Sequence, residues 1–185
     1  KFINFINKKN QKKNKILKSF IKDKSLLKKY PLLNSLTKNF QYSYQKKKIS
    51  KFQNFSEVNL IGMGGSIIGA EAIYDFLKHK IKKNFSFYNN IQFQSITKTS
   101  KKKINLVISK SGNTLETISN LNLVLQKQKK NKNVFLCERK KNFFSLLAKK
   151  LKAEIFEHKN YIGGRYSVLS ETGMLPAELM GLNEK

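Results

Sequence analysis

From Glu57 onward the chain alternates short apolar runs with segments of helical period, and few folds accept that order. Val58–Ile61, Ile91–Ile96, Ile104–Ile108, Val134–Cys137 and Ala153–Phe156 read as five strands bounded by polar or Gly-containing turns. Ile67–Ile81, Asn113–Gln126 and Phe143–Leu151 read as helices; in the first, Ile68, Ala72, Phe76 and Ile81 fall roughly on one face. Strands separated by helices predict parallel βαβ units with right-handed crossovers, so the fold class is α/β, a doubly wound parallel sheet. Before this block, Ile16, Leu17, Phe20, Ile21, Leu26 and Leu27 recur at helical spacing among lysines, and Pro31 ends that pattern or starts another helix. Residues 1–50 are therefore expected to form two amphipathic helices lying on a domain of residues 51–185.

In an open parallel sheet, ligands bind beyond the carboxyl ends of the strands. Two loops occupy such ends. Gly62-Met63-Gly64-Gly65-Ser66 follows the first strand. It departs from the dinucleotide fingerprint, because Ile67 stands where a third Gly is needed and the second strand runs into Thr97 and Lys98 rather than an acid. It also lacks the Lys of a Walker loop. Two readings stand for it: a backbone that a ligand can approach closely, with Ser66 at the helix start, or a tight turn whose Ser caps a helix. The second loop, Ser109-Lys110-Ser111-Gly112-Asn113-Thr114, sets three hydroxyls around one turn ahead of a helix, with Gly112 free to take an unusual backbone angle. Backbone N–H groups, short alcohols and a positive helix end suit a phosphate ester. Lys110 offers its side chain and its backbone N–H. Thr114 and Thr117 share a helix face, and Glu116 suits the first turn as a brace.

A third segment, Tyr161-Ile162-Gly163-Gly164-Arg165-Tyr166-Ser167, holds one of only two arginines, Arg139 and Arg165, in a chain with 38 Lys and Arg. Retention of Arg amid so much Lys points to a need for the planar guanidinium fork; the alternative is a structural arginine that caps a helix or pairs with Glu171 or Glu178. His79 and His158 are both expected at the surface. Cys137 reads as a buried core residue, and a lone cysteine excludes an internal disulfide and fits a reducing compartment. No His, Cys, Asp or Glu set has metal-ligand spacing.

The formal charge of +27 raises the question of nucleic acid or an anionic membrane. The charge is nearly all Lys, scattered through helices and loops among Asn, Ile and Phe, rather than gathered in an Arg-rich stripe with aromatics. A solvated surface is the preferred reading, with no nucleic acid and no membrane as partners. No apolar stretch approaches the roughly 20 residues of a bilayer span, and no segment fits a signal peptide, so a cytoplasmic location is expected. The first residue is Lys1 rather than Met, which suggests a piece of a longer polypeptide.

Taken in order, Gly62–Ser66, Ser109–Thr117 and Gly163–Ser170 resemble the three N-terminal signatures of the glucose-6-phosphate isomerase family. The resemblance runs from about Val58 to Leu182, the third segment being the most specific. It implies a sugar isomerase (SIS) domain of Rossmann-like three-layer form and a phosphosugar substrate. It also implies interconversion of glucose 6-phosphate and fructose 6-phosphate without metal or organic cofactor, in a homodimer. Carried onto this sequence, it puts Gly65, Ser66 and the stretch Ser109, Lys110, Ser111, Gly112, Asn113 and Thr114 on the phosphate. Gly164 and Arg165 fall near the reacting carbons, Arg165 as the catalytic residue that stabilises enediolate charge. The second loop departs from the family's usual Ser-Lys-Thr-x-Thr-Thr and is closer to SIS domains at large and to bifunctional glucose/mannose phosphate isomerases. The family's general-base Glu, ring-opening His and late Lys follow the third signature, so the chain as it stands is expected to bind phosphosugar weakly and to isomerise nothing. Two rivals are kept: a non-catalytic SIS module that senses a sugar phosphate, and an isomerase of another phosphosugar.

Overall fold

The computed structural model describes residues 15–16, 18–19, 22–37, 39–91 and 103–183. They fall into two compact units, Lys1–Gln41 and Tyr42–Lys185. In the first, helix α1 (Lys24–Lys29) starts at Asp23, whose carboxylate accepts from Ser25 N at 2.9 Å and Leu26 N at 3.3 Å. Pro31 then opens a 3-10 turn over Pro31–Leu36, where its missing N–H costs nothing. Leu17, Phe20 and Ile21 lie outside the described residues.

The second unit runs α2 (Lys46–Ser50), β1 (Glu57–Ile61), α3 (Ile68–Leu77), β2 (Asn84–Tyr88), β3 (Ile104–Ile108), α4 (Leu115–Lys127), β4 (Lys132–Cys137), α5 (Phe143–Lys150), β5 (Glu154–Glu157) and α6 (Glu171–Met180). Residues 42–50, read from the sequence with the N-terminal segment, contribute Tyr44 and Ile49 to the core of this unit. The five strands are all parallel in the order β2-β1-β3-β4-β5. That is the doubly wound arrangement expected from the strand–helix alternation, and it puts the topological switch between β1 and β3.

Side-chain alternation divides the core. Val58, Leu60, Ile104, Leu106, Ile108, Val134 and Leu136 face Ile49, Ala70, Tyr74, Leu175 and Leu179 on the α2, α3 and α6 side. Ile61, Val107, Phe135 and Cys137 face Leu121, Val124, Phe144 and Ala148 on the α4 and α5 side. Each such side chain withdrawn from water contributes about 1.5–3 kcal/mol. Cys137 is a core residue, and burial pushes its thiol pKa up. On the α4 side, three asparagines in register form a polar ladder: Asn59 Nδ2 donates to Asn105 Oδ1 at 2.8 Å, and Asn105 Nδ2 to Asn133 Oδ1 at 2.8 Å. Asn59 Nδ2 also donates to Gln128 Oε1 at 2.9 Å, while Asn59 Oδ1 is buried with no partner among the described residues, so the ladder offsets its burial only in part.

Two expectations need correction. The second strand is Asn84–Tyr88; Ile91 is exposed coil, and the remainder of Ile91–Ile96 lies outside the described residues. β2 is an edge strand that buries Phe85, with Phe87 packed alongside, while Asn84 and Ser86 face out, so it never forms a long apolar run. The stripe Ile68–Ala72–Phe76 faces outward, with Phe76 82% exposed. Helix α3 packs instead through Ala70 and Tyr74, the latter's ring tilted against those of Phe85 and Phe87.

Candidate active site at the sheet switch point

Because β1 and β3 are neighbours, the loops that follow them leave the sheet side by side. A Cβ at Gly62 would stand 3.2 Å from Ile108 O, the last residue before the second loop. In the first loop, Gly64 has φ +55 and Ser66 N donates to Met63 O at 3.1 Å, making a 3-10 turn that delivers Ser66 and Ile67 to α3. Ser66 is half-buried, and no side chain caps α3 at Ile67.

In the second loop the hydroxyls converge. Ser109 Oγ lies 2.7 Å from Thr114 Oγ1, and Ser111 Oγ lies 3.5 Å from both. Thr114 is the N-cap residue of α4, yet its hydroxyl meets Ser109 and makes no capping bond. The first turn of α4 thus keeps N–H groups that no side chain caps. Three positions on, Thr117 is fully buried with a hydroxyl that has no partner among the described residues.

The rest of the second loop is occupied with holding itself up. Gly112 takes φ +69, and a Cβ there would lie 2.3 Å from the Asn142 side chain. Gly112 O accepts from Phe144 N at 3.1 Å, and Asn113 Oδ1 accepts from Phe143 N at 2.8 Å. The N-terminal N–H groups of α5 therefore support the loop, while Asn142 and Ser145 cap that helix reciprocally. Of the residues picked from the sequence, Ser111 is exposed and Thr114 half-buried, whereas Ser109 is 2% exposed and its Oγ also accepts from Gly112 N at 3.2 Å. Gly112 and Asn113 spend their polar groups on the fold. Lys110 Nζ donates to Asn160 O at 2.7 Å.

The third segment meets the first loop. Gly164–Tyr166 forms a 3-10 turn, held by Tyr166 N to Gly163 O at 2.9 Å. It packs on the first loop so closely that a Cβ at Gly65 would meet Gly164 O at 2.2 Å. Ser167 Oγ lies 2.7 Å from Gly164 O and 3.2 Å from Gly65 O, within donating reach of both carbonyls. Arg165 sits exposed on this turn. Neither acid suggested as its structural partner takes it. Glu171, 1% exposed, accepts from Ser43 N at 2.8 Å and lies 3.8 Å from Lys159 Nζ; Glu178 pairs with Lys46 at 3.0 Å.

His158 corrects the sequence reading: it is 2% exposed, not a surface residue. Its backbone N donates to Cys137 O at 2.8 Å, extending the β5 pairing, and its Nδ1 lies 3.1 Å from Lys159 O. Burial pushes its pKa below the usual imidazole value; the bond to Lys159 O opposes this, Lys110 adds to it, and Glu171 and Glu138 oppose it. Tyr161 beside it is shifted upward by burial and by the carboxylates of Glu171 and Glu157. Sequence spacing gave no sign of this cluster, because its members come from β3, β4, β5 and α6 and the loops that follow the strands.

A doubly wound parallel domain with small-residue loops meeting at the β1/β3 switch defines a class of α/β proteins that hold anionic ligands at strand ends. The phosphoglucose isomerase family profile matches residues 11–184, and the chain belongs to that family. Among curated relatives, the glucose-6-phosphate isomerase of Methanocaldococcus jannaschii is 33% identical over 147 residues, covering 74% of this chain and 36% of its own length. A Methanococcus maripaludis protein named "Probable glucose-6-phosphate isomerase" is 30% identical over 201 residues, covering 95% and 43%. The chain thus spans less than half the length of these relatives. Among solved structures, a hypothetical protein from Thermus thermophilus matches with TM-score 0.68 at 20% identity, over 94% of this chain and 46% of that one. Tagatose-6-phosphate ketose/aldose isomerase from Escherichia coli matches with TM-score 0.51 at 15% identity, over 89% and 42%. Both share the fold.

Proposed function

We propose that the whole protein interconverts glucose 6-phosphate and fructose 6-phosphate, and that this chain supplies the phosphate-gripping half of the site. One observation carries the reading: the hydroxyl cluster Ser109–Ser111–Thr114 follows β3, and the loop that touches Gly164 at Gly65 follows β1, the strand paired beside it. The phosphate meets the alcohols, the first turn of α4 and the backbone around Gly65 and Ser66. Phosphate held there leaves the sugar's C1–C2 end toward the Gly164–Tyr166 turn.

The reaction moves a proton from C2 to C1 of the open-chain sugar through an enediolate. A base takes the C2 proton, the C1 carbonyl oxygen gathers negative charge, the proton of the C2 hydroxyl passes to O1, the base returns its proton to C1, and C2 becomes the carbonyl. The base comes from the rest of the protein, within hydrogen-bond reach of both carbons. Arg165 serves the oxygen that gains charge, an interaction stronger in the transition state than in the ground state. Its exposure fits that role, since a guanidinium already paired with Glu171 or Glu178 would be unavailable. No described helix is long and apolar enough to cross a membrane. The same reading makes the whole protein a cytoplasmic homodimer, which size-exclusion chromatography with light scattering checks.

The test is Arg165→Lys in the full-length protein, assayed for fructose 6-phosphate turnover. We expect kcat to fall at least about a hundredfold, with the substrate dissociation constant changed far less. Normal turnover in this variant would remove Arg165 from the reaction.

A further inference from the structure

We infer that the Lys110 side chain is a positioning group that ties the phosphate loop to the turn carrying Arg165. The inference rests on the isomerase reading above and deepens it. Lys110 stands between two of the clustered hydroxyls, where a lysine would be expected to point its ammonium at the anion. Instead Nζ reaches Asn160 O at 2.7 Å, with Glu138 Oε1 at 3.8 Å. Its own backbone is fixed, because Lys110 O accepts from Glu138 N at 3.0 Å.

Asn160 lies on the short path from β5 to the third segment. That path is pinned at Ile162, which is 1% exposed and donates its N–H to Lys159 O at 3.1 Å. Three residues beyond Ile162 comes Arg165, and Ser167 is again fully buried. The exposed turn is therefore gripped from two directions: by the first loop through Gly65 and Ser167, and by the second loop through Lys110. An anion that orders the hydroxyl loop also fixes the root of Lys110, and the ammonium passes that order to the segment before Arg165. Affinity for phosphate then resides in hydroxyls and amides, and Lys110 acts on turnover.

The experiment uses the full-length protein with Lys110→Met, which keeps the aliphatic stem and removes the donors, and Lys110→Arg, which restores a cation. Kinetics with fructose 6-phosphate are paired with hydrogen exchange of the amides from 162 to 167. For Lys110→Met we expect kcat down about tenfold, KM within about threefold, and those amides exchanging about tenfold faster; Lys110→Arg should recover to within about threefold of wild type. A KM raised about tenfold at unchanged kcat would mean that the ammonium grips phosphate directly, and unchanged exchange would mean that no tie exists; either overturns the inference. Should Lys110→Met lose its cooperative melt, Lys110→Gln takes its place under the same thresholds. If the wild-type protein turns over no phosphosugar, the isomerase reading fails, and the exchange measurement alone decides the tie.

Discussion

Replacing Gly65 with Ala should injure the site more than the size of one methyl group suggests. The new Cβ would stand 2.2 Å from Gly164 O, 2.5 Å from Gly164 C and 3.1 Å from Gly164 Cα. All three are backbone atoms, so no side chain can rotate away. Restoring ordinary contact requires the two turns to part by roughly 1 Å, which also stretches the 3.2 Å bond from Ser167 Oγ to Gly65 O. Overpacking of this kind costs about 1–3 kcal/mol of stability. The functional cost is larger, because a shift of about 1 Å in a positioned group can cost about a hundredfold in rate. Gly164→Ala is the matched control: a Cβ there meets nothing within 4 Å. In the full-length protein, thermal melts and fructose 6-phosphate turnover of the two variants separate the effects. Gly65→Ala should lose about a hundredfold in kcat, while Gly164→Ala should melt within about 0.5 kcal/mol of wild type. Wild-type turnover in Gly65→Ala would refute the contact between the first and third loops.

Ser109→Ala with Thr114→Ala should raise the dissociation constant for fructose 6-phosphate by at least about tenfold and leave that for fructose unchanged, as a calorimetric titration can decide. Gly112→Ala, forced into φ +69 and against the Asn142 cap, should cost about 2 kcal/mol or more, read from the urea midpoint. His158 has a folded-state pKa depressed mainly by burial, so the unfolded chain binds the extra proton first. Its contribution to stability is whole above about pH 6.5 and is lost progressively as pH falls from there through the folded-state value. Urea midpoints from pH 7.5 to 5 should therefore drop less steeply for His158→Gln than for wild type, and identical slopes would exclude the effect.

The strands at the centre of the sheet were legible because burial on both faces leaves a nearly continuous apolar run, as Ile104–Ile108 shows. The loops were legible because a Gly beside a hydroxyl at a strand end has few structural uses. β2 was not, since an edge strand with one wet face needs no such run, and the apolar residues of Ile91–Ile96 drew the assignment instead. Helix α6 escaped notice for a related reason. Gly173 and Pro176 argue locally against a helix, yet nearly every side of it is buried, and at Gly173 a Cβ would meet Val168 O at 2.0 Å.

Residue order determined that this chain would alternate strand and helix and would carry Gly-containing turns after the first and third strands and before Arg165, because propensity and period act within a few residues. Tertiary structure alone decided that those turns, far apart along the chain, come into contact. Strand order is set by crossovers and by which faces can be buried together, and it makes β1 and β3 adjacent. The same packing buried His158, turned Phe76 outward and took the Lys110 ammonium to a neighbouring carbonyl, since each outcome depends on partners distant in sequence.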